Sequence, residues 1–149
     1  MVSPDILKQL DFFEELSDSM IERMASIAEI KVYPEGHFLN KNIQEAKYFY
    51  IILEGEISLQ LERLTQRTIH LETIMPGGAL GFSSLIETND KRYISDAKAI
   101  TPVKVLRFQA HEMMLLFYQD FELGYLIMKK IALVAKRRLV YRTHPLEKI

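Results

Sequence analysis

The chain has 149 residues, a formal net charge of −1, 48% hydrophobic residues and no cysteine. This length and hydrophobic content suffice for one domain with a sizeable core. The near-neutral charge gives no general attraction to nucleic acid or to a membrane surface. The lack of cysteine excludes disulfides, thiolate metal sites and a cysteine nucleophile. We expect a cytoplasmic protein, because no signal peptide opens the chain and no apolar run approaches the ~20 residues of a bilayer span.

The first zone, residues 5–29, is a predicted helical lead-in. Its apolar residues recur at the three- and four-residue spacing of amphipathic helices. Ser17, Asp18 and Ser19 form a good N-cap cluster, so the sequence predicts a second helix that begins at Ser17.

The second zone, residues 30–108, is a predicted β-barrel. Apolar residues alternate with others in short stretches, and turn residues separate these stretches without a long intervening helix. This pattern favours an antiparallel sandwich or barrel. The alternating sets are Ile30 and Val32; Phe49, Ile51 and Leu53; Ile57, Leu59 and Leu61; Ile69, Leu71 and Ile74; and Val103, Val105 and Phe108. The turn signals are Pro34–Gly36, Glu54–Gly55, Thr65–Arg67 and Pro76–Gly78.

The third zone, residues 109–142, is predicted to be helical, which makes residues 1–149 a single domain. A short amphipathic helix is predicted from His111 to Tyr118 and a longer one from Phe121 to Val140. The basic residues of the longer helix lie largely off its apolar face, and their simplest interpretation is a solvated surface. These residues are Lys129, Lys130, Lys136, Arg137 and Arg138.

The most informative stretch lies between residues 76 and 99. Two adjacent glycines, Gly77 and Gly78, precede a third at Gly81, and a short apolar turn and a polar loop follow. In spacing, this stretch resembles the phosphate-binding cassette of the cyclic-nucleotide-binding domain family. The turn glycines that fall at the family's intervals are Gly36, Gly55, Gly77 and Gly81. Another family glycine would fall at Ile43, so we expect a differently built turn there, around Asn42.

The resemblance implies a mainly β fold, a jelly-roll barrel with N-terminal helices and C-terminal B and C helices. In the family, a Gly-Glu pair opens a short helix that holds the phosphate and the ribose hydroxyl, and an arginine neutralises the phosphate. Here Gly81 matches the glycine, but Phe82 stands at the glutamate position and Tyr93 at the arginine position. Arg92 is one residue out of register.

Two interpretations of this cassette stay open. The amides that follow Gly81, together with the hydroxyls of Ser83 and Ser84, would attract an anion if they formed a helix N-terminus. Alternatively, the short helix only closes the barrel while Phe82 packs inward.

The neighbouring charged and aromatic residues are equally open to two interpretations. Arg92 reaches a phosphate if the loop is shifted by one residue, and otherwise points to solvent. Tyr93 stacks on a base, forms a hydrogen bond through its hydroxyl, or fills the barrel. Arg137 or Arg138 is the candidate lid over the pocket mouth, by analogy with the C helix of the family.

Catalytic and metal chemistry find no support in the sequence. The four histidines, His37, His70, His111 and His144, are too scattered for a metal site. We therefore expect no enzyme, no metal and no cofactor. A helix-turn-helix unit is also missing from the chain, so we expect no nucleic-acid partner.

The sequence therefore predicts a stand-alone ligand-sensing or regulatory module that does not bind cAMP or cGMP in the usual way. Its ligand would be nucleotide-like or anionic. The alternative is a ligand-free structural or protein–protein interaction module. By resemblance we also expect a partner protein and a homodimer through the C-terminal helix. The predicted dimer seam comprises Leu123, Ile127, Ile131, Val134 and Leu139.

Overall fold

The computed structural model describes residues 2–62, 67–86 and 90–143. The predicted turn residues Thr65 and Gln66, the loop residues 87–89 and His144 lie outside these ranges. The helices are α1 (Pro4–Lys8), α2 (Asp18–Ile27), α3 (Ala110–Gln119) and α4 (Phe121–Thr143), with 3₁₀ helices at Asp11–Phe13 and Phe82–Leu85. Of the helices in the described residues, none has the length and apolar character that crossing a bilayer requires.

Within the described residues, eight strands form two antiparallel four-stranded sheets, in the orders β1-β8-β3-β6 and β2-β7-β4-β5. This arrangement confirms the predicted jelly-roll barrel with flanking helices. The strands are β1 (Ala28–Tyr33), β2 (Phe38–Asn40), β3 (Tyr48–Glu54), β4 (Ile57–Glu62), β5 (Thr68–Ile74), β6 (Ala79–Leu80), β7 (Asp96–Ala99) and β8 (Val103–Gln109).

Local signals explain where the N-terminal helices begin. The Ser3 hydroxyl accepts from the amide of Asp5, and Pro4 occupies the first helical position of α1. The Ser17 hydroxyl accepts from the amide of Met20 at 3.3 Å, which confirms that Ser17 caps α2.

The core has two parts, one on each face of the sheet that contains β3. Phe49 and Ile51 face the helical layer, whereas Tyr50 and Ile52 face the barrel interior, and all four are buried. The alternation predicted for β3 therefore exists, but the residues between the predicted ones are buried as well. A central strand covered on both faces loses the apolar-polar contrast of a half-exposed strand.

The alternation of Ile30 and Val32 correctly predicts a strand, β1, but the two side chains are not buried. Their strand pairs with β8 and faces the helical layer, but the helices cover only its beginning at Ala28. Ile30 is 38% exposed and Val32 is 70% exposed. Alternation in the sequence correctly placed the two side chains on one face, but how far the helices reach decided their exposure.

The prediction that the turn near Ile43 is built differently, because a glycine is missing there, is wrong. Ile43 itself adopts φ +67°, the left-handed conformation that a glycine would occupy at this position. A β-branched residue in this region is strained. The turn is held by hydrogen bonds from the Ile43 amide to the Tyr93 carbonyl and from the Asn42 amide to Asp96.

Helix α4 packs against the helical layer with the face that carries Leu123, Ile127 and Ile131. These three residues are at most 3% exposed, so they belong to the core of their own chain and not to a dimer seam. Ion pairs from Lys129 to Glu15 at 2.9 Å and from Lys130 to Glu14 at 2.5 Å also hold α4 against the lead-in. The simplest interpretation predicted that the basic residues of α4 are solvated. This holds only in part, because Lys129 and Lys130 pair with the lead-in.

Candidate functional site

The cassette turn begins where β6 ends. Gly81 adopts φ +80°, and a Cβ added to it would lie 2.7 Å from the Tyr48 carbonyl oxygen, which only glycine tolerates. The Ser84 hydroxyl is buried and donates to the Gly81 carbonyl at 2.7 Å. This hydrogen bond stabilises the turn. It also engages the Ser84 hydroxyl, which the sequence analysis named as a donor for an anion.

The helix after Gly81 is a single 3₁₀ turn of four residues, Phe82–Leu85. A macrodipole grows with the number of aligned peptide units, so this turn offers little of the helix-terminus attraction that the sequence predicted. Positive charge for an anion must therefore come from side chains.

Tyr93 points inward from the arginine position of the cassette and is 5% exposed. Its hydroxyl donates to the Tyr48 carbonyl and accepts from the Tyr48 amide, both at 3.0 Å. Burial raises the pKa of Tyr93, and burial likewise raises the pKa of the neighbouring Tyr50. Tyr93 is therefore neutral, and its hydroxyl is already hydrogen-bonded to the backbone of β3 at Tyr48.

Arg92 points away from the barrel. Its guanidinium lies 2.5 Å from Asp90 and donates to the Ile43 carbonyl at 3.0 Å. More than half of its side chain is exposed, so the one-residue offset in the sequence places it on the outer face, as expected for an unshifted loop.

A cavity of about 200 Å³ lies between the cassette turn, the segment after Tyr93 and the second half of α4. Most of its lining is apolar. The lining residues are Asn40, Leu59, Leu80, Gly81, Phe82, Ser83, Tyr93, Ile94, Ser95, Ala135, Arg138, Leu139 and Arg142. The cassette candidates Gly81, Phe82, Ser83 and Tyr93 thus share one cavity, whereas Ser84 and Arg92 are not part of its lining.

Of the two lid candidates, Arg138 lies in the cavity wall. It is 8% exposed, donates to the Ala79 carbonyl, and places its guanidinium 5.7 Å from the centre of the Phe82 ring. Its Nε lies 3.4 Å from a Glu72 oxygen without a hydrogen bond between them. Burial lowers the pKa of Arg138, and the Glu72 carboxylate acts in the opposite direction. Arg138 is therefore part of the cavity wall, held against the Ala79 carbonyl and close to Glu72.

Arg137 is exposed and lines a separate groove outside the cavity. Arg142, which the sequence did not single out, also lines the cavity. It lies one helical turn after Arg138, and its buried Nε has no hydrogen-bond partner among the described residues. Its charge contributes to lowering the pKa of Arg138, so the two guanidinium groups repel each other.

The sequence analysis missed Arg142 and Glu72. The four-residue spacing from Arg138 to Arg142 was the available signal, because it places both side chains on one helix face. Glu72 had no signal, since its position beside Arg138 depends on how α4 packs against β5. Across residues 2–62, 67–86 and 90–143, no group of three histidine, aspartate or glutamate side chains is arranged to bind a metal.

The profile of the cyclic nucleotide-binding domain matches residues 30–120, more than half of the chain. The chain belongs to the cyclic nucleotide-binding domain family. No curated protein matches it.

Solved structures of this family superpose well on the chain. One is a protein of Geobacter metallireducens GS-15 named as a cyclic nucleotide-binding protein, with 29% identity, a TM-score of 0.82, and coverage of 93% of this chain and 99% of the other. A cyclic nucleotide-binding-like protein of Brucella abortus has 25% identity and a TM-score of 0.63, covering 77% and 97%. The regulatory domain of Toxoplasma gondii PKA, solved with cAMP, shares the fold at 18% identity and a TM-score of 0.71, covering 87% and 48%.

This member of the family differs at the two positions that contact the nucleotide in the cassette pattern. Phe82 offers no acceptor for a ribose hydroxyl, and Tyr93 uses its hydroxyl on the Tyr48 backbone. Neither side chain therefore supplies the contact that the cassette pattern assigns to its position.

Proposed function

We propose that this domain is a regulatory module that senses a small anionic ligand in the cavity between the cassette turn and α4. The observation that carries the proposal is the charge of the cavity wall. Over the described residues, the lining holds the guanidinium groups of Arg138 and Arg142 and no carboxylate, and Glu72 lies behind Arg138. A mostly apolar cavity with an excess positive charge is suited to an anion.

The same module would not bind cAMP or cGMP in the usual way. Each hydrogen bond to a charged group contributes about 1.5–3 kcal/mol. Losing both the phosphate arginine and the ribose acceptor removes several kcal/mol of affinity together, which Arg92 cannot restore from the outer face.

A mechanism for signalling follows from the position of the two arginines on α4. A ligand that binds Arg138 and Arg142 in one arrangement of α4 better than in another shifts the population toward that arrangement. Ala135 and Leu139 line the cavity from the same helix. A bound ligand would therefore change the arrangement of α4 directly. A partner protein or a second copy would detect this change at the exposed surface of the helix.

A ligand-free interaction module is the second candidate, because Arg138 already has partners within the chain. Its bond to the Ala79 carbonyl and its proximity to Glu72 hold α4 against the barrel without a ligand. This candidate predicts that no small anion stabilises the protein.

The ligand proposal is tested by thermal-shift and calorimetric titration with nucleotides, organic phosphates and carboxylates, with cAMP and cGMP included. A specific ligand at 100 times its Kd should stabilise the fold by about 2.7 kcal/mol. We expect Arg142→Gln to abolish the shift, because it removes one of the two cations of the cavity wall. The variant should still fold, because the Arg142 Nε has no hydrogen-bond partner to lose among the described residues. The matched control is Arg137→Gln, which makes the same charge change on the same helix but outside the cavity.

Two results would contradict the ligand proposal. Tight cAMP binding that is lost in Arg92→Ala would restore the usual mode of the family. The absence of a shift with every anion would favour the ligand-free module.

We also propose a homodimer through a different face of α4 from the one predicted. Four residues in the first half of α4 follow the alternating four- and three-residue spacing of a coiled-coil seam, namely Phe121, Tyr125, Met128 and Ala132. Of these, Phe121 and Tyr125 are 77% and 65% exposed. A second copy presents the same stripe, and a two-fold axis along α4 would bury both.

The dimer is tested by light scattering of wild type and Tyr125→Glu. Wild type should have about twice the chain mass of 17.4 kDa, and Tyr125→Glu should be a folded monomer with the circular dichroism spectrum of wild type, because two like charges would face each other in the seam. Lys136→Glu, on the exposed helix surface outside the stripe, is the control and should stay dimeric. Wild type that remains monomeric at high micromolar concentration would contradict the dimer.

A further inference from the structure

We infer that the ligand of the cavity is a small amphipathic monocarboxylate, with its carboxylate at Arg142 and Arg138 and its apolar body toward Leu59, Leu80 and Ile94. The inference rests on the proposed function and adds the chemical class of the ligand. Charge, polar partners and the cavity mouth support it separately.

Charge favours a single negative charge. Arg138 and Arg142 carry two positive charges that repel each other, and the nearby Glu72 offsets one of them. One unit of charge is left to compensate. A planar carboxylate suits this requirement, because guanidinium groups bind it through parallel N–H donors. A phosphate dianion would reverse the imbalance.

The polar groups of the cavity wall argue against sugars and nucleotides. The Tyr93 hydroxyl is committed to the Tyr48 backbone, and the Asn40 side-chain amide donates to the Ser95 carbonyl at 2.9 Å. Among the described lining residues, the other hydroxyls are those of Ser83 and Ser95. A ligand with several hydroxyl or ring-nitrogen groups would therefore leave some of them unpaired inside the cavity, which disfavours binding. The volume of about 200 Å³ also favours a small molecule.

The cavity mouth is apolar. Ile94 is 59% exposed and Leu139 is 63% exposed, and both line the cavity. An alkyl or aromatic body anchored by its carboxylate at the arginines would cover these side chains and withdraw them from water. This placement accounts for exposed isoleucine and leucine side chains beside the buried Arg138 and the half-buried Arg142.

The inference is tested by calorimetry with butanoate, hexanoate and octanoate. Octan-1-ol is the neutral control and octyl phosphate the control of higher charge. We expect Kd to fall about fourfold for each added methylene, until the chain leaves the cavity. Octan-1-ol should bind at least tenfold more weakly than octanoate. Arg142→Gln should weaken octanoate binding at least tenfold, whereas Arg137→Gln should leave it unchanged.

The outcomes separate this inference from the proposed function. Binding of a nucleotide or octyl phosphate that requires Arg142, with no binding of carboxylates, would overturn the carboxylate class and leave the anion-sensing function standing. Equal affinities for octanoate and octan-1-ol would overturn the role of the arginines. No binding of any anion would overturn both proposals.

Discussion

Replacing Ile131 with glutamate is expected to unfold the domain and not merely to separate two copies. Ile131 is 3% exposed and packs in the core between α4 and the helical layer. A buried, unpaired carboxylate costs several kcal/mol, and the lost isoleucine packing adds about 2–5 kcal/mol. Together these terms approach the ~5–15 kcal/mol that stabilise a typical domain. Circular dichroism and denaturant titration will measure the loss.

The matched control is Leu139→Glu, the same kind of substitution on the same helix. Leu139 is 63% exposed, so we expect its melting temperature to stay close to that of wild type. A folded Ile131→Glu protein with unchanged stability would mean that the packing of α4 described above is wrong.

Gly55→Ala is the second substitution with a large expected effect, about 2–5 kcal/mol of lost stability. Gly55 adopts φ +88°, where a Cβ adds about 1–2 kcal/mol of strain. The added Cβ would also lie 2.3 Å from the Pro102 carbonyl oxygen. Overpacking of this kind costs about 1–3 kcal/mol more. The loop cannot withdraw easily, because the Glu56 amide donates to Thr101 at 3.0 Å.

Gly36→Ala isolates the clash from the backbone strain. Gly36 has almost the same φ, +86°, but a Cβ there meets nothing within 4 Å. We expect a loss of about 1 kcal/mol, since strain is partly offset by the reduced entropy of the unfolded chain. Equal losses for the two variants in urea titrations would show that the approach of Pro102 contributes nothing.

The candidate site was only partly readable from the sequence. The glycine at 81 and the missing charges at 82 and 93 follow from local spacing, and the structure places all three residues around one cavity. The two cations of the cavity come from α4, far along the chain. Sequence periodicity assigns a face to each of them, but it cannot say what that face packs against.

Burial, too, could be predicted from the sequence only in part. The alternation of Phe49 and Ile51 is identical in kind to that of Ile30 and Val32, yet the first pair is buried and the second is exposed. The stripe of Leu123, Ile127 and Ile131 was correctly apolar, but its partner is the same chain. An amphipathic pattern specifies that a face needs covering and leaves the covering element undefined.

By itself, the sequence determined the element order, the caps and the glycine turns of this protein, because each depends on a few neighbouring residues and their backbone preferences. The Ser17 cap and the left-handed turn at Gly81 are of this kind. Only the tertiary structure decided that Arg138 is a wall, that Arg142 joins it and that Tyr93 is tied to Tyr48. These roles arise from contacts between distant segments, and their charges and hydrogen bonds have meaning only once the packing of α4 on the barrel has set the distances.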